Sequence, residues 1–142
     1  MQEVKRAIRQ NSPLAYAMID IDHFKKVNDS YGHAVGDQVI KSLSALLNKQ
    51  LRKTDVVGRY GGEEFAVVLP NTSGEEAELI MNELRVTFEQ IHHHAEETDF
   101  TVTFSCGLAA YPECPTFPDL AESADRAVYL AKKRGRNCII LG

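Results

Sequence analysis

The chain has 142 residues, a length that predicts one domain, residues 1–142, with a core large enough to be stable without disulfides. Its 16 basic and 20 acidic side chains give a formal net charge of −4 at pH 7. This balance disfavours a nucleic-acid-binding protein, because such proteins carry a broad positive surface.

The first predicted element is a strand at Leu14–Ile21, where the sequence LAYAMIDI is a compact apolar run. Such a run is typical of a strand buried on both faces, and it places Asp20 near its carboxyl end. A helix is predicted over residues 34–51, because apolar side chains recur there at helical spacing. Asp37 lies in the predicted first turn of this helix.

A β-hairpin is predicted next. Two strand-like runs, residues 55–60 and 65–69, flank a Gly-Gly pair, and consecutive glycines readily adopt the positive φ angles of a tight turn. Glu63 and Glu64 are therefore expected at the tip of the hairpin.

A second long helix follows the hairpin. Ser73 and Glu76 have the spacing of a capping box, and an apolar stripe at helical spacing continues as far as Ile91. Histidines 92–94 are interpreted as the polar end of this helix. They are not interpreted as a metal site, because three consecutive helical residues point in different directions around the axis.

The last third of the chain predicts strand, helix and strand. Residues 100–110 are rich in β-branched and aromatic side chains, residues 119–134 have a helical pattern that stops at Gly135, and residues 138–141 are apolar. The whole order predicts an α/β sandwich in which helices cover a mixed, mostly antiparallel central sheet.

A fold that pairs the first strand with the hairpin would bring Asp20, Glu63 and Glu64 together. Magnesium prefers hard oxygen ligands and is commonly held by one or two carboxylates plus substrate phosphates, so such a cluster suits Mg²⁺. The alternative is that Asp20 ends a strand and that the two glutamates are solvated turn residues. Adjacent acids at a tight turn repel one another unless a cation binds, which favours a functional site.

The cysteines and the hydropathy pattern bear on the cellular compartment. Cys106, Cys114 and Cys138 lack a CxxC spacing, which indicates reduced thiols, and Cys106 is assigned to the core. No apolar run approaches the roughly 20 residues that a membrane helix requires. We expect a cytoplasmic domain without membrane contact, which leaves open a membrane anchor elsewhere in the parent protein.

Three motifs resemble those of GGDEF-domain diguanylate cyclases. Residues 59–65 (RYGGEEF) are similar to the family's hairpin, with glutamate at its third position. Residues 20–33 (DIDHFKKVNDSYGH), followed by Gly36 and Asp37, resemble the nucleotide-binding stretch, and residues 131–137 (AKKRGRN) resemble a third motif. Three motifs in the right order are far more specific than one short motif.

The resemblance implies a fold similar to the palm of nucleotidyl cyclases, and an enzyme that condenses two GTP molecules into cyclic di-GMP with release of pyrophosphate. The cofactor would be Mg²⁺, with Mn²⁺ as a substitute. The reaction is in-line attack of a ribose 3′-hydroxyl on an α-phosphate, supported by two metals. Because the product has two-fold symmetry and one chain supplies one guanine pocket, an active homodimer is expected.

The resemblance also assigns the catalytic acids. Asp20 and Glu64, together with the main-chain carbonyl of Ile21, would hold the metal. Glu63 would help to bind metal and would deprotonate the attacking 3′-hydroxyl.

Asn28 and Asp37 would bind the guanine edge by the same resemblance. An aspartate accepts hydrogen bonds from both N1–H and the exocyclic amine, which adenine lacks there, so Asp37 favours GTP over ATP. The blander alternatives are that Asn28 and Asp29 form an ordinary turn and that residues 132–134 complement a helix end. The other residues implied to bind GTP are Phe24, Ile40, Gly61 and Gly62, with Lys25, His33, Lys132 and Arg136 facing the triphosphate.

Arg52 and Asp55 lie where many relatives carry an Arg-x-x-Asp site for inhibition by the product. A guanidinium can bind guanine and phosphate acceptors in a bidentate manner. The alternative is a surface salt bridge worth about 0 to 1 kcal/mol.

One departure from the family is the start of the chain, where the usual Asp-x-Leu-Thr-Gly-Leu-x-Asn-Arg stretch is absent. We interpret this as a trimmed domain that lacks an upstream sensory or dimerising region. Two rival functions remain: a module that binds GTP or cyclic di-GMP without turnover, and a nucleic-acid-binding domain. The intact Glu63-Glu64 pair opposes the first, and the acidic balance opposes the second.

Overall fold

A five-stranded mixed sheet forms the centre of the protein in the computed structural model, which describes residues 2–142. The strand order is β2-β3-β1-β6-β7, in which β6 and β7 pair in parallel and the other neighbours are antiparallel. The predicted fold class is confirmed. Along the chain the elements are α1 (Gln2–Gln10), β1 (Leu14–Ile21), α2 (Phe24–Tyr31), α3 (His33–Gln50), β2 (Val56–Tyr60), β3 (Glu64–Pro70), α4 (Gly74–Glu89), β4 (His93–Ala95), β5 (Thr98–Phe100), β6 (Phe104–Tyr111), α5 (Phe117–Lys133) and β7 (Ile139–Leu141).

Strand β1 is the central strand, and all of its residues are buried, as its apolar sequence predicts. Successive side chains point to opposite faces. Ala15 and Ile19 pack with α2, α3 and α4 in one hydrophobic cluster, whereas Tyr16 and Met18 pack with α1 and α5 in the other. Asp20 continues the second series, so it lies on the α5 side of the sheet.

Gly107 of β6 lets α5 approach the sheet closely. A Cβ atom at this position would overlap the backbone of Ala124 and Val128 in α5. The absent side chain therefore allows the helix backbone to lie directly against the strand, which sets the height of the whole helix above the sheet.

Two helices, α1 and α2, were not predicted. Each is short, and α2 buries only Phe24 and Val27. Helix α3 begins at His33 rather than at residue 34, so Asp37 lies in its second turn and not its first. The predicted strand over residues 100–110 is divided, because Phe100 belongs to β5 and β6 begins only at Phe104.

The interpretation of histidines 92–94 as a helix end is wrong. Helix α4 ends at Glu89, and His93 begins strand β4, which pairs with β5. The His93 ring lies 5.8 Å from Phe88 and 5.5 Å from Phe100, measured between ring centroids. His93 and Ala95 are buried and His94 is exposed, an alternation that is typical of a strand and not of a continued helix.

Two other local predictions are confirmed. Ser73 and Glu76 form a reciprocal capping box at the start of α4. Cys106 is fully buried, and burial raises the pKa of its thiol well above the usual range. Among residues 2–142, no helix combines the length and apolar composition that are needed to cross a bilayer.

Candidate active site

The sheet brings Asp20 and Glu64 together, and Glu63 lies next to them in the hairpin turn. In the antiparallel pairing of β1 with β3, Asp20 lies directly opposite Glu64. The Ile21 amide donates a hydrogen bond of 3.2 Å to the carbonyl oxygen of Glu63. Glu63 itself lies in the turn, whereas Glu64 is the first residue of β3. The positive φ of 76° at Gly61 explains why a glycine is used in this turn.

The carboxylates interact electrostatically, and Lys132 of α5 is their local counter-charge. Its ammonium group donates to Oδ2 of Asp20, which is only 6% exposed. Burial raises the pKa of both Glu63 and Glu64, and the charge of Asp20 raises both further, whereas Lys132 lowers them. The site therefore holds more negative charge than its single lysine balances.

Without substrate, the side chains of this site supply only some of the oxygen ligands that a magnesium ion needs. Within residues 2–142, no three His, Cys, Asp or Glu side chains are grouped closely enough to hold a metal by themselves. Magnesium does not require such a group, because one or two carboxylates and substrate phosphates usually suffice. Asp20 and Glu64 supply hard oxygen ligands of that kind, and their excess negative charge suits a divalent cation.

A cavity of about 280 Å³ lies beside these carboxylates on the α5 side of the sheet. Tyr60, Asp125 and Tyr129 line it and were not predicted from the sequence. Tyr60 and Tyr129 are 61% and 59% exposed, so both rings are accessible from solvent at this cavity. The complete lining is Met18, Asp20, Tyr60, Glu64, Asp125, Val128, Tyr129 and Lys132.

The predicted guanine-binding residues lie at the corner between α2 and α3. A Cβ atom on Gly36 would overlap Oδ1 of Asn28, so only glycine leaves room for that side chain. Within residues 2–142, Oδ1 of Asn28 is buried and has no hydrogen-bond partner, which is a costly state for a polar atom. Asn28 and Asp29 both belong to α2, so the alternative that they form an ordinary turn is wrong.

The other predicted nucleotide contacts differ in exposure. Ile40 is only 6% exposed and belongs to the core, as does Phe24 at 9%. Lys132 and Lys133 lie in the last turn of α5, so they do complement a helix carboxyl end as well. The exposed members of the set are Lys25, His33, Asp37, Gly61, Gly62 and Arg136.

Asp22 was quoted within a motif but given no role, and it is the most fully bonded acid of the region. It is 4% exposed, and its carboxylate accepts hydrogen bonds from the Thr103 hydroxyl (2.7 Å), the Ser105 hydroxyl (2.7 Å) and the main-chain N–H of Asn137 (3.0 Å). Thr103, just before β6, and Ser105, within it, alternate along the chain, and this alternation is the sequence feature that could have indicated these donors.

Arg52 and Asp55 are adjacent, as their spacing suggested. Nη2 of Arg52 donates to Asp55 (3.0 Å), to the carbonyl of Pro70 (2.9 Å) and to the hydroxyl of Thr72 (2.9 Å). Asp55 also accepts from the Arg52 amide at 2.8 Å. The salt-bridge alternative is therefore realised, and it holds the guanidinium in place beside a cavity of about 200 Å³.

Comparison with known proteins identifies the class to which this fold and site belong. Residues 1–138 match the family described as diguanylate cyclase, GGDEF domain, and the chain belongs to that family. It is 40% identical over 136 residues to diguanylate cyclase DgcP of Pseudomonas aeruginosa, covering 96% of this chain and 20% of that protein.

Two solved structures have the same fold. One is the active GGEEF domain of a diguanylate cyclase from Vibrio cholerae, with a TM-score of 0.90, 33% identity, and 99% and 89% of the two chains covered. The other is the GGDEF domain of DgcB from Caulobacter crescentus in complex with c-di-GMP, with a TM-score of 0.92, 31% identity, and 99% and 81% covered. The chain spans only 20% to 35% of the length of its curated relatives.

Proposed function

We propose that this chain condenses two GTP molecules into cyclic di-GMP with release of two pyrophosphates. The observation that carries the proposal is the pairing of Asp20 with Glu64 at the hairpin, with Glu63 alongside and one lysine as counter-charge. Relatives of 40% and 36% identity are named diguanylate cyclases, which supports the same activity here.

Mg²⁺, or Mn²⁺ in its place, would be held by Asp20, Glu63, Glu64 and the carbonyl of Ile21. When bound, the metal would neutralise charge on the phosphates and on the attacking and leaving oxygens. Glu63 would accept the proton of the 3′-hydroxyl, because it lies in the hairpin turn next to the carboxylates of Asp20 and Glu64. Lys132 would stabilise the negative charge of the triphosphate.

Base selection would fall to Asn28 and Asp37. The exposed Asp37 carboxylate can accept hydrogen bonds from N1–H and the exocyclic amine of guanine. The side-chain Oδ1 of Asn28, which has no partner within residues 2–142, supports a second contact at the same edge. The exposed side chains of Lys25, His33 and Arg136 would contact phosphate oxygens. Phe24 and Ile40 would support the base from the core side, and Gly61 and Gly62 would let the hairpin approach the phosphates.

Two chains would act together, because each provides one acidic cluster and one guanine pocket for a product with two equivalent phosphodiester bonds. Each GTP would present its 3′-hydroxyl to the other's α-phosphate. In this arrangement the rate of product formation rises more steeply than linearly with protein concentration.

One product assay tests this proposal. The chain is incubated at several concentrations with Mg²⁺ and either GTP or ATP, and the nucleotides are separated chromatographically. We expect cyclic di-GMP and pyrophosphate from GTP, and loss of both in Glu64→Gln. Glu78→Gln is the matched control, since Glu78 is an exposed glutamate on α4. GTP binding without turnover, even after enforced dimerisation, would establish the rival function of a binding module.

We further propose that Arg52 and Asp55 bind cyclic di-GMP as an inhibitor. The guanidinium is already held by Asp55, Pro70 and Thr72, so little side-chain entropy remains to be lost on binding. The DgcB domain from Caulobacter crescentus was solved in complex with this dinucleotide.

Arg52→Ala is expected to lower the calorimetric affinity for cyclic di-GMP at least tenfold, the loss of about one charge-assisted hydrogen bond. Lys53→Ala, in the same exposed loop, is the matched control. Because Arg52 also ties its loop to Pro70 and Thr72, the melting temperature and the initial rate are measured for both variants. Unchanged affinity in Arg52→Ala would remove the inhibitory site from this proposal.

A further inference from the structure

The loop between α5 and β7 has a backbone that its sequence does not favour by itself. Gly135, Arg136 and Asn137 have φ angles of 107°, 68° and 50°, so three successive residues lie in the left-handed region. Glycine adopts this conformation freely and asparagine tolerates it, but for arginine it costs on the order of 1 to 3 kcal/mol. Such a conformation persists only where the surrounding contacts impose it.

The contacts that impose it converge on Asn137. Its main-chain N–H donates to the Asp22 carboxylate just after β1 (3.0 Å). Its side-chain Oδ1 accepts from Nη1 of Arg85 (2.8 Å), and its Nδ2 donates to Glu89 (3.0 Å). The Asn137 carbonyl accepts a second bond from the same Arg85 nitrogen at 3.3 Å. Every hydrogen-bonding group of this residue's side chain is thus paired with helix α4.

Arg136, the preceding residue, is held only through its backbone. Its amide donates to the carbonyl of Ala131 at 3.0 Å, whereas its exposed guanidinium makes no hydrogen bond or ion pair within residues 2–142. The loop backbone therefore sets the direction in which that side chain leaves the main chain. Lys132, by contrast, is fixed by its place in α5 and by Asp20.

We propose that Asn137 is a positioning residue for substrate binding: anchored by Arg85 and Glu89 of α4, it holds the loop in the strained form that directs Arg136 toward the triphosphate. This inference rests on the proposed function, because it takes GTP as the ligand. It assigns α4, which carries none of the predicted site residues, a part in nucleotide affinity.

Two substitutions separate the anchor from the backbone conformation. Asn137→Gly removes both side-chain bonds but keeps the positive φ accessible, whereas Asn137→Ala removes them and disfavours that φ as well. Arg85→Gln removes the anchor from the α4 side. Arg126→Ala is the matched control, since it deletes an arginine from an exposed ion pair with Glu122.

Binding is measured by calorimetry with two ligands: GMP, and a GTP analogue whose methylene α,β-bridge cannot be cleaved. We expect the Asn137 and Arg85 variants to bind the analogue about tenfold more weakly and GMP unchanged, because GMP lacks the outer phosphates. In Arg136→Ala, a further Asn137→Gly change should cost nothing more, since the side chain that the loop directs is already gone.

Equal losses for both ligands, additive losses in the double variant, or wild-type affinity in Asn137→Gly would each overturn the positioning role. Melting temperatures establish that the variants are folded. Product formation by the unaltered chain is measured in parallel. If the unaltered chain binds both ligands but forms no product, the cyclase activity is rejected, and the binding comparison still tests the role of Asn137. If the chain binds neither ligand, both proposals are rejected.

Discussion

Two buried aspartates at the end of β1 have opposite environments. Asp22 accepts hydrogen bonds from two hydroxyls and one amide, so its charge is compensated by fixed donors. Asp20, two residues earlier and almost equally buried, faces Glu64 across the strand pair and has Lys132 as its side-chain partner. Burial therefore does not distinguish a structural carboxylate from a functional one.

The two aspartates differ in whether their neighbours are hydrogen-bond donors or other acidic side chains. Asp22 is surrounded by hydrogen-bond donors and stabilises the junction of β1, β6 and the α5–β7 loop. Asp20 belongs to a cluster of like charges, and the repulsion within it costs folding free energy that a bound cation would offset. Substitutions at the two positions should consequently affect different properties.

The largest effect is expected from Asp20→Asn on activity. If Asp20 holds the metal as proposed, its loss should lower the rate of cyclic di-GMP formation by about 10³-fold or more, in line with the several kcal/mol that a metal contributes to transition-state stabilisation. Relief of repulsion with Glu63 and Glu64 offsets the loss of the ion pair with Lys132, so the free energy of unfolding should stay within about 1 kcal/mol of wild type. A large loss of stability here would contradict the contrast with Asp22.

Asp22→Asn should instead act on stability. The amide group brings a donor toward three existing donors and removes the charge, which costs about 2 to 3 kcal/mol of unfolding free energy. Denaturant unfolding of both aspartate variants gives the comparison directly. If Asp22→Asn were as stable as Asp20→Asn, the hydrogen bonds to Thr103, Ser105 and Asn137 would have little energetic weight.

A smaller effect is expected at His93, a buried polar residue outside the acidic cluster whose Nε2 has no partner. Burial, with a secondary contribution from His94 and His92, lowers the pKa of His93. As pH falls below about 6.5, the unfolded chain gains a proton that the folded chain resists, so stability decreases toward acid by at most about 1.4 kcal/mol per pH unit.

His93→Phe should remove this contribution and keep the ring contacts. Comparing the variant with wild type at each pH cancels the opposite contribution of Glu63 and Glu64, whose raised pKa values favour proton uptake by the folded chain. His23→Asn, at an exposed position away from this group of histidines, is the control. An unchanged difference in unfolding free energy between pH 7 and pH 5 would show that His93 titrates as it does in the unfolded chain.

The parts of the fold that the sequence predicted are those with strong local patterns. Strand β1 was predicted at both ends because all its residues are buried, and the α4 start because its capping box is local. Helix α2 was missed since it buries two residues, and β4 because the apolar stripe of α4 continues past its real end. There, tertiary contacts with Phe88 and Phe100 override the helical pattern.

Sequence motifs predicted the part of the candidate site that lies within them. The convergence of Asp20 and Glu64 follows from two adjacent strands and was expected. The contact between Asp22 and Asn137 joins residues 115 positions apart, and the anchor from Arg85 joins residues 52 apart. Nothing in the periodicity or spacing of a single sequence marks such pairs, so they emerge only from the folded chain.

The backbone contact at Gly107 has a consequence for how the site can be transplanted. Helix α5 carries Lys132 at one end and touches β6 where that strand has no side chain, so an empty position in the sheet determines how far the ammonium group reaches. Consider a chimera that places α5 on the sheet of a relative with a larger residue at the position of Gly107. That side chain would push the helix away from the sheet. Its lysine would then be parted from Asp20, although every motif remained intact.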